Sequence, residues 1–199
     1  MILPLRAAAL TALSVLSFAA SLNAFGAGGS ANAENSWTQA VSNSTFEVVV
    51  LKPTQDSLGY ERPLPLDQIP YAIRNDPYYS VGTAFALGAN RWVTAAHVLG
   101  VGRESLQKTY RLRDAAGKVY DIDQFHKLSL RRDFAVFSIK GDPGVKPLPT
   151  HAAPNFNDKV YAAGNALGQG IVFRDGLYTS NTPEEREGKW QWMRFSAAA

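Results

Sequence analysis

A histidine and an aspartate stand out as residues that could share one piece of chemistry. His97 follows a strand-like run at 91–95 and lies among small residues, Ala95 and Ala96. A general base needs such a setting, because rigid strands must hold it while its imidazole stays reachable. Taken alone, a histidine of this kind is more often an ordinary structural residue.

Asp133 comes directly before an apolar run at 134–139 that predicts a buried strand. A carboxylate at this place can accept the Nδ1–H of His97, which fixes the ring tautomer and stabilises the imidazolium. The residues alone leave an alternative open, in which Asp133 is a turn aspartate paired with Arg131 or Arg132.

The elements that must position these two residues are short strands. Apolar, β-branched runs alternate with turn residues and show no long helical periodicity, which predicts an all-β barrel or sandwich. Prolines interrupt the segment at 53–77, and since proline has no N–H, this segment predicts a surface connection. One short helix-like piece lies at 95–100. The predicted strands are 45–51, 79–87, 91–95, 109–113, 119–126, 134–139, 159–163, 170–179 and 190–197.

The N-terminus predicts an export signal. One positive charge precedes an uncharged apolar run at 7–22, and the Ala-Asn-Ala at 31–33 fits a signal cleavage site, although a cut after Ala24 stays open. The apolar run is short for a membrane span. We expect a signal peptide over 1–33, a flexible segment over 34–44, and an exported protein of the bacterial periplasm or exterior, without stable membrane association after cleavage.

Composition excludes several kinds of site. The chain has no cysteine, which rules out disulfides, thiolate metal ligands and a cysteine nucleophile. The net charge of +3 is small, and the scattered Lys and Arg form no basic stripe with interleaved aromatics, so nucleic acid is not an expected partner. His126 and His151 lack metal-ligand spacing with His97, and no metal site is expected.

The two motifs together resemble a known family. Residues 82–99, with Thr-Ala-Ala-His at 94–97, resemble the histidine region of the chymotrypsin/trypsin-like serine peptidases, and the Asp-Phe-Ala-Val at 133–136 is similar to their aspartate motif. The order of the two motifs agrees, and their separation suits compact bacterial members of the Deg/HtrA-like type.

This resemblance implies two packed antiparallel β-barrels, with His97 and Asp133 on the first and the nucleophilic serine on the second. The first barrel is then expected over 45–140 and an incomplete second barrel over 141–199, opening with the strand at 160–165. The implied activity is a serine endopeptidase that hydrolyses polypeptides and needs no cofactor.

The family's serine motif, a Gly-Asp/Asn-Ser-Gly-Gly turn, is missing from the 199 residues. None of the serine and threonine hydroxyls after Asp133 lies in such a glycine-rich turn. They are Ser138, Thr150, Thr179, Ser180, Thr182 and Ser196. We therefore expect the nucleophile beyond Ala199, and this fragment alone to be inactive.

Two other interpretations stay open. One is a trypsin-like pseudo-peptidase that lost its serine and acts as an exported binding module. The other is an exported β-sandwich whose motifs are accidental, which predicts that His97 and Asp133 lie far apart. Near the end of the chain, Trp190 and Trp192 are expected to share one strand face, and the charged run at 184–187 is interpreted as a solvated loop.

Overall fold

The computed structural model of the chain describes residues 31–52, 68, 74–100, 109–151, 154–165, 170–186 and 188–197. The predicted leader lies outside these residues apart from 31–33, and so does most of the proline-rich connection at 53–77. Among the residues described, no helix is long and apolar enough to cross a membrane.

Six strands close into an antiparallel barrel in the spatial order β1-β2-β3-β6-β5-β4. β1 pairs with both β2 and β4, and this double pairing closes the ring. The predicted all-β class with an antiparallel barrel is confirmed. The strands are β1 (Thr45–Leu51), β2 (Tyr78–Gly88), β3 (Arg91–Thr94), β4 (Tyr110–Arg113), β5 (Val119–Ser129) and β6 (Phe134–Ile139).

Large apolar side chains fill this barrel. Trp92 on β3, Leu112 on β4 and Phe137 on β6 are fully buried, and the ring centre of Phe46 on β1 lies 4.4 Å from that of Trp92. Burying each such side chain stabilises the fold by about 1.5–3 kcal/mol. β3 and β6, which precede and follow the two residues of interest, are therefore anchored in a rigid core.

A second, smaller sheet has three antiparallel strands in the order β7-β8-β9. They are β7 (Lys159–Gly164), β8 (Val172–Pro183) and β9 (Gln191–Phe195). Within the described residues this sheet does not close on itself, as expected for an incomplete second barrel. The division of the chain at residue 140 stays a prediction.

The segment at 34–44, predicted to be flexible, is helical instead, in α1 (Ala31–Ser44). Trp37 and Val41 are four residues apart and therefore share one face of the helix. Val41 is buried in the barrel core, and the ring centre of Trp37 lies 4.5 Å from that of Tyr161 in the second sheet. The sequence analysis did not predict this helix because it followed the polar composition and missed the apolar pair, and the flexibility of the segment stays a prediction.

Candidate active site

His97 lies in a single turn directly after β3. Ala95 continues the extended backbone, and a 3-10 helix, Ala96–Leu99, then turns the chain. Gly100 ends this helix in the left-handed conformation (φ 61°), and its N–H donates to the carbonyl oxygen of His97 at 3.0 Å. The other three residues of the helix are buried, so the turn is fixed on the core while the imidazole stays exposed.

Gly82 on β2 allows this turn to lie close to the barrel. A Cβ atom at Gly82 would come within 2.5 Å of one γ-carbon of Val98 and 2.7 Å of the other. Val98 is buried and β-branched, so it has little freedom to rotate away. The buried Thr94 also ties β3 to β2, because its hydroxyl donates to the carbonyl oxygen of Thr83 at 2.7 Å.

Asp133 lies in the tight turn between β5 and β6, where its N–H donates to the carbonyl oxygen of Leu130 at 3.3 Å. Its backbone is left-handed (φ 49°), a conformation that aspartate tolerates better than most residues. Thr94 on β3 pairs with Ala135 on β6. The chain that leaves β3 and the chain that enters β6 are therefore neighbours, which brings His97 and Asp133 together.

The two side chains are in direct contact. The Oδ1 of Asp133 accepts the main-chain N–H of His97 at 2.8 Å, and its Oδ2 lies within hydrogen-bond distance of the ring Nδ1. The His97 side chain is 40% exposed and the Asp133 side chain 18%. The carboxylate is thus shielded behind an imidazole whose other edge can meet a second molecule or segment.

These contacts decide between the alternatives. The accidental-motif β-sandwich required the two residues to lie far apart, and it is wrong. The pairing of Asp133 with its neighbouring arginines is also absent from the described residues, since Arg131 and Arg132 pair with glutamates on the β8–β9 turn.

The arrangement has a defined chemical capacity. An ionised carboxylate can only accept hydrogen bonds, so the contact with Oδ2 places the neutral ring's proton on Nδ1. Nε2 then carries a free lone pair and can take a proton from a hydroxyl. The geometry suits a general base, and it also stabilises the imidazolium that forms.

No described hydroxyl forms a hydrogen bond with the His97 ring. Ser138 is buried on β6, where it donates to Asp123 at 3.2 Å, and the hydroxyl of Ser196 accepts the N–H of Leu177 at 2.9 Å. Thr182 accepts from Arg194 at 3.1 Å. Of the remaining candidate hydroxyls, Thr179 and Ser180 lie on β8, and Thr150 lies in the connection between β6 and β7.

The other two histidines do not join this site. His126 is exposed on β5, and His151 is exposed in the connection between β6 and β7. In the part of the chain that the structure describes, no group of three or more His, Cys, Asp or Glu residues could hold a metal ion.

Sequence reasoning missed two sets of residues around the site. The loop at 184–187, interpreted as solvated, contains Glu184, whose side chain is only 10% exposed and pairs with both Arg131 and Arg132. Trp190 lies just before β9, under the guanidinium of Arg132. The sequence did contain a signal for this contact, because the basic residues at 131–132 and the acidic residues at 184–185 carry opposite charges. The two runs lie some fifty residues apart in sequence.

The second set surrounds Asn165, at the end of β7. Its N–H donates to the hydroxyl of Thr83 at 2.7 Å, and its side-chain amide donates to Glu47 at 2.8 Å and to Ser80 at 2.5 Å. Its own Oδ1 accepts the N–H of Gly170 at 2.8 Å. This buried residue thus joins the second sheet to β1 and to the β2 segment that holds Thr94.

Comparisons with known proteins agree with this fold. The model of the trypsin-like peptidase domain matches residues 82–198. A solved structure of the HtrA-type protease AlgW with a decapeptide has a similar fold, with a TM-score of 0.56 and 16% sequence identity over 81% of this chain. The match covers 50% of the AlgW chain, so this chain spans half the length of that protease. No curated protein sequence matches the chain.

Proposed function

Because the chain belongs to the trypsin-like peptidase family, we propose that it is part of a serine endopeptidase, with His97 as general base and Asp133 as the carboxylate that orients it. The observation that supports this most directly is the double contact of Asp133 with the ring and the main chain of His97. A structural histidine does not need its tautomer fixed, whereas a base that must take a proton at Nε2 does.

In this proposal, Nε2 of His97 removes the proton of a serine hydroxyl as the oxygen attacks the peptide carbonyl. His97 then gives the proton to the leaving amine, and the acyl-enzyme is hydrolysed by water through the same proton path. The carboxylate of Asp133 stabilises the imidazolium. Acyl transfer of this kind uses neither a metal nor an organic cofactor.

We propose that the serine lies beyond Ala199. Two facts support this: no described hydroxyl contacts the His97 ring, and the chain spans half the length of the AlgW protease. The 199-residue chain alone is therefore expected to hydrolyse no peptide bonds, since no hydroxyl among the described residues is hydrogen-bonded to the His97 ring.

Polypeptides are the proposed substrate class. The AlgW structure is described as a complex with a decapeptide. The His97 side chain is 40% exposed, so a bound polypeptide could reach its ring.

The experiment compares the longest product of the gene with the 199-residue chain, using casein as an unfolded substrate. We expect hydrolysis by the former only, and its loss in His97→Ala. His126→Ala is the matched control, since His126 is exposed on the same barrel and should keep activity. Hydrolysis that survives His97→Ala would exclude the proposal.

The pseudo-peptidase remains the second candidate, favoured by the lack of a described hydroxyl at His97. It predicts that the longest gene product carries no Gly-x-Ser-Gly-Gly turn and binds polypeptides without cleaving them. The sequence that follows Ala199 and the casein assay separate the two candidates.

Export to the bacterial periplasm or exterior is proposed from the predicted leader, with no stable membrane association after cleavage. A cut after Ala33 would remove the first three residues of α1 (Ala31–Ser44), whereas a cut after Ala24 leaves the helix complete. Cell fractionation and the N-terminal mass of the mature protein test both points.

A further inference from the structure

The β8–β9 turn of the second sheet binds the turn that carries Asp133. We call this group the clasp; it consists of Arg131, Arg132, Glu184, Glu185 and Trp190. The Nε of Arg131 lies 3.1 Å from one oxygen of Glu184, and an Nη of Arg132 lies 3.2 Å from the other. Arg131 also pairs with Glu185.

Glu184 is the centre of the clasp. Its side chain is 10% exposed, and its main-chain N–H donates to the carbonyl oxygen of Trp190 at 2.9 Å. The guanidinium of Arg132 lies 4.0 Å above the ring centre of Trp190. By contrast, the Arg131 and Glu185 side chains are 62% and 60% exposed, so water and salt screen that pair.

The position of the two arginines in sequence gives the clasp its importance. Arg131 and Arg132 directly precede Asp133, and a guanidinium is a strong, geometrically suited partner for a carboxylate. A free guanidinium on this turn would compete with His97 for the oxygens of Asp133. In the structure, Glu184 forms an ion pair with each arginine, and Asp133 is bound by His97.

We propose that Glu184 is a positioning residue that keeps Arg131 and Arg132 away from Asp133 and so reserves this carboxylate for His97. The proposal deepens the proposed function, on which it rests, and it makes the His97–Asp133 pair of the first barrel dependent on the β8–β9 turn of the second sheet. No hydrogen bond or ion pair joins Glu184 to His97 or to Asp133.

The test measures how well the His97–Asp133 hydrogen bond protects its proton in the 199-residue chain. NMR measures how fast the Nδ1 proton of His97 exchanges with water. In Glu184→Gln, which keeps the shape but removes the charge, we expect exchange to become about tenfold faster, a change equivalent to about 1.4 kcal/mol. Glu185→Gln is the control on the exposed pair and should change the rate by less than about twofold.

A second substitution separates competition from simple support. If released Arg132 takes Asp133 from His97, then adding Arg132→Gln to Glu184→Gln should return the exchange rate to within about threefold of the unsubstituted chain. If the clasp were only a scaffold, removing its second member would leave exchange fast or make it faster. Fast exchange in the double variant, or unchanged exchange in Glu184→Gln, overturns the proposal.

A check of folding and an independent readout keep the outcome unambiguous. Circular dichroism shows whether Glu184→Gln is folded. If it is not, Glu184→Asp, which keeps the charge with a shorter reach, takes its place. We then expect faster exchange in Glu184→Asp and recovery of slow exchange when Arg132→Gln is added. The readout involves no peptide cleavage. A negative casein assay therefore counts against the proposed function alone, and unchanged proton exchange counts against the clasp alone.

Discussion

Both oxygens of Asp133 are committed to one residue, since Oδ1 accepts the main-chain N–H of His97 and Oδ2 contacts Nδ1 of its ring. The main-chain bond fixes the plane of the carboxylate, because rotation about its last bond would break it. The orientation of the ring therefore depends on a backbone group as well as on a side chain.

This geometry predicts the effect of Asp133→Asn. The main-chain N–H of His97 must still face an oxygen, so the NH₂ of the new amide turns towards Nδ1, which must then accept a hydrogen bond. The ring proton moves to Nε2, where it blocks uptake of a proton from a hydroxyl. We expect NMR of the ring nitrogens to show this tautomer, and the activity of the longest gene product to fall about 10³–10⁴-fold.

The same spectra contain their own control, because His126 and His151 are exposed and lie outside this pair. Their nitrogen resonances should be the same in the variant and the unsubstituted chain. If Nδ1 of His97 keeps its proton in Asp133→Asn, the main-chain N–H of His97 does not fix the orientation of the new amide, and the prediction is contradicted.

The close approach of β2 to the His97 turn predicts the effect of Gly82→Ala. The added Cβ would lie 2.5 Å from a γ-carbon of Val98, so the turn must shift or the core must open, which costs about 1–3 kcal/mol. Urea unfolding measures the loss. Gly88→Ala is the matched control on the same strand, because no atom lies within 4 Å of its added Cβ, and its stability should not fall.

Much of this fold could be predicted from the sequence because it depends on local signals. Runs such as 134–139 alternate with turn residues, and β6 (Phe134–Ile139) begins and ends where the pattern does. β5 was predicted to end at 126 but continues to Ser129, because two register shifts let it keep pairing with β6. Bulges of this kind leave no clear mark in hydrophobic patterning.

The candidate site was predictable to a different extent. His97 follows a buried strand and Asp133 precedes another, so the contact between them could be inferred from their two motifs. Glu184 and Asn165 act across the two sheets, over more than fifty residues, and their roles depend on tertiary contacts that no local pattern encodes. Helix α1 was missed for a similar reason, because the role of its short apolar face is visible only from the two sheets against which it packs.

The ion pair of Asp76 with Arg113 predicts a loss of stability in acid. Burial alone would raise the pKa of Asp76, but hydrogen bonds from Arg113 and from the N–H of Tyr78, with the charges of Arg113 and Lys52, lower it overall. Since folding lowers this pKa, the ionised carboxylate stabilises the native state above its unfolded value of about 3.9, and this contribution is lost as the pH falls through the folded value.

We therefore expect Asp76→Asn to reduce the free energy of unfolding by about 1 kcal/mol at neutral pH, and the difference from the unsubstituted chain to shrink below about pH 4. Urea unfolding at a series of pH values measures this. Asp175→Asn, which removes the exposed pair with Lys159, is the control and should change stability by less than about 0.5 kcal/mol. A difference that stays constant into acid would contradict the assignment.

Asn165 offers the sharpest test of the junction between the sheets. In Asn165→Ala, Glu47 and Ser80 lose buried donors, and the N–H of Gly170 loses its acceptor, so we expect a loss of about 2–3 kcal/mol in urea unfolding. Asn43→Ala removes one exposed bond from Gln39 and should stay within about 0.5 kcal/mol.

The isosteric change Asn165→Asp separates the loss of packing from the loss of donors. The new carboxylate fills the same space and can still accept from Gly170, but it faces the Glu47 oxygen that lies 2.8 Å from the amide nitrogen. Two carboxylates at this distance repel each other, and protonation of either relieves the repulsion. We expect this variant to be at least as unstable as Asn165→Ala near neutral pH and to regain most of the loss by about pH 4. A small deficit at both pH values would mean that Asn165 acts through its shape, because the aspartate keeps that shape and loses only the donor that faces Glu47.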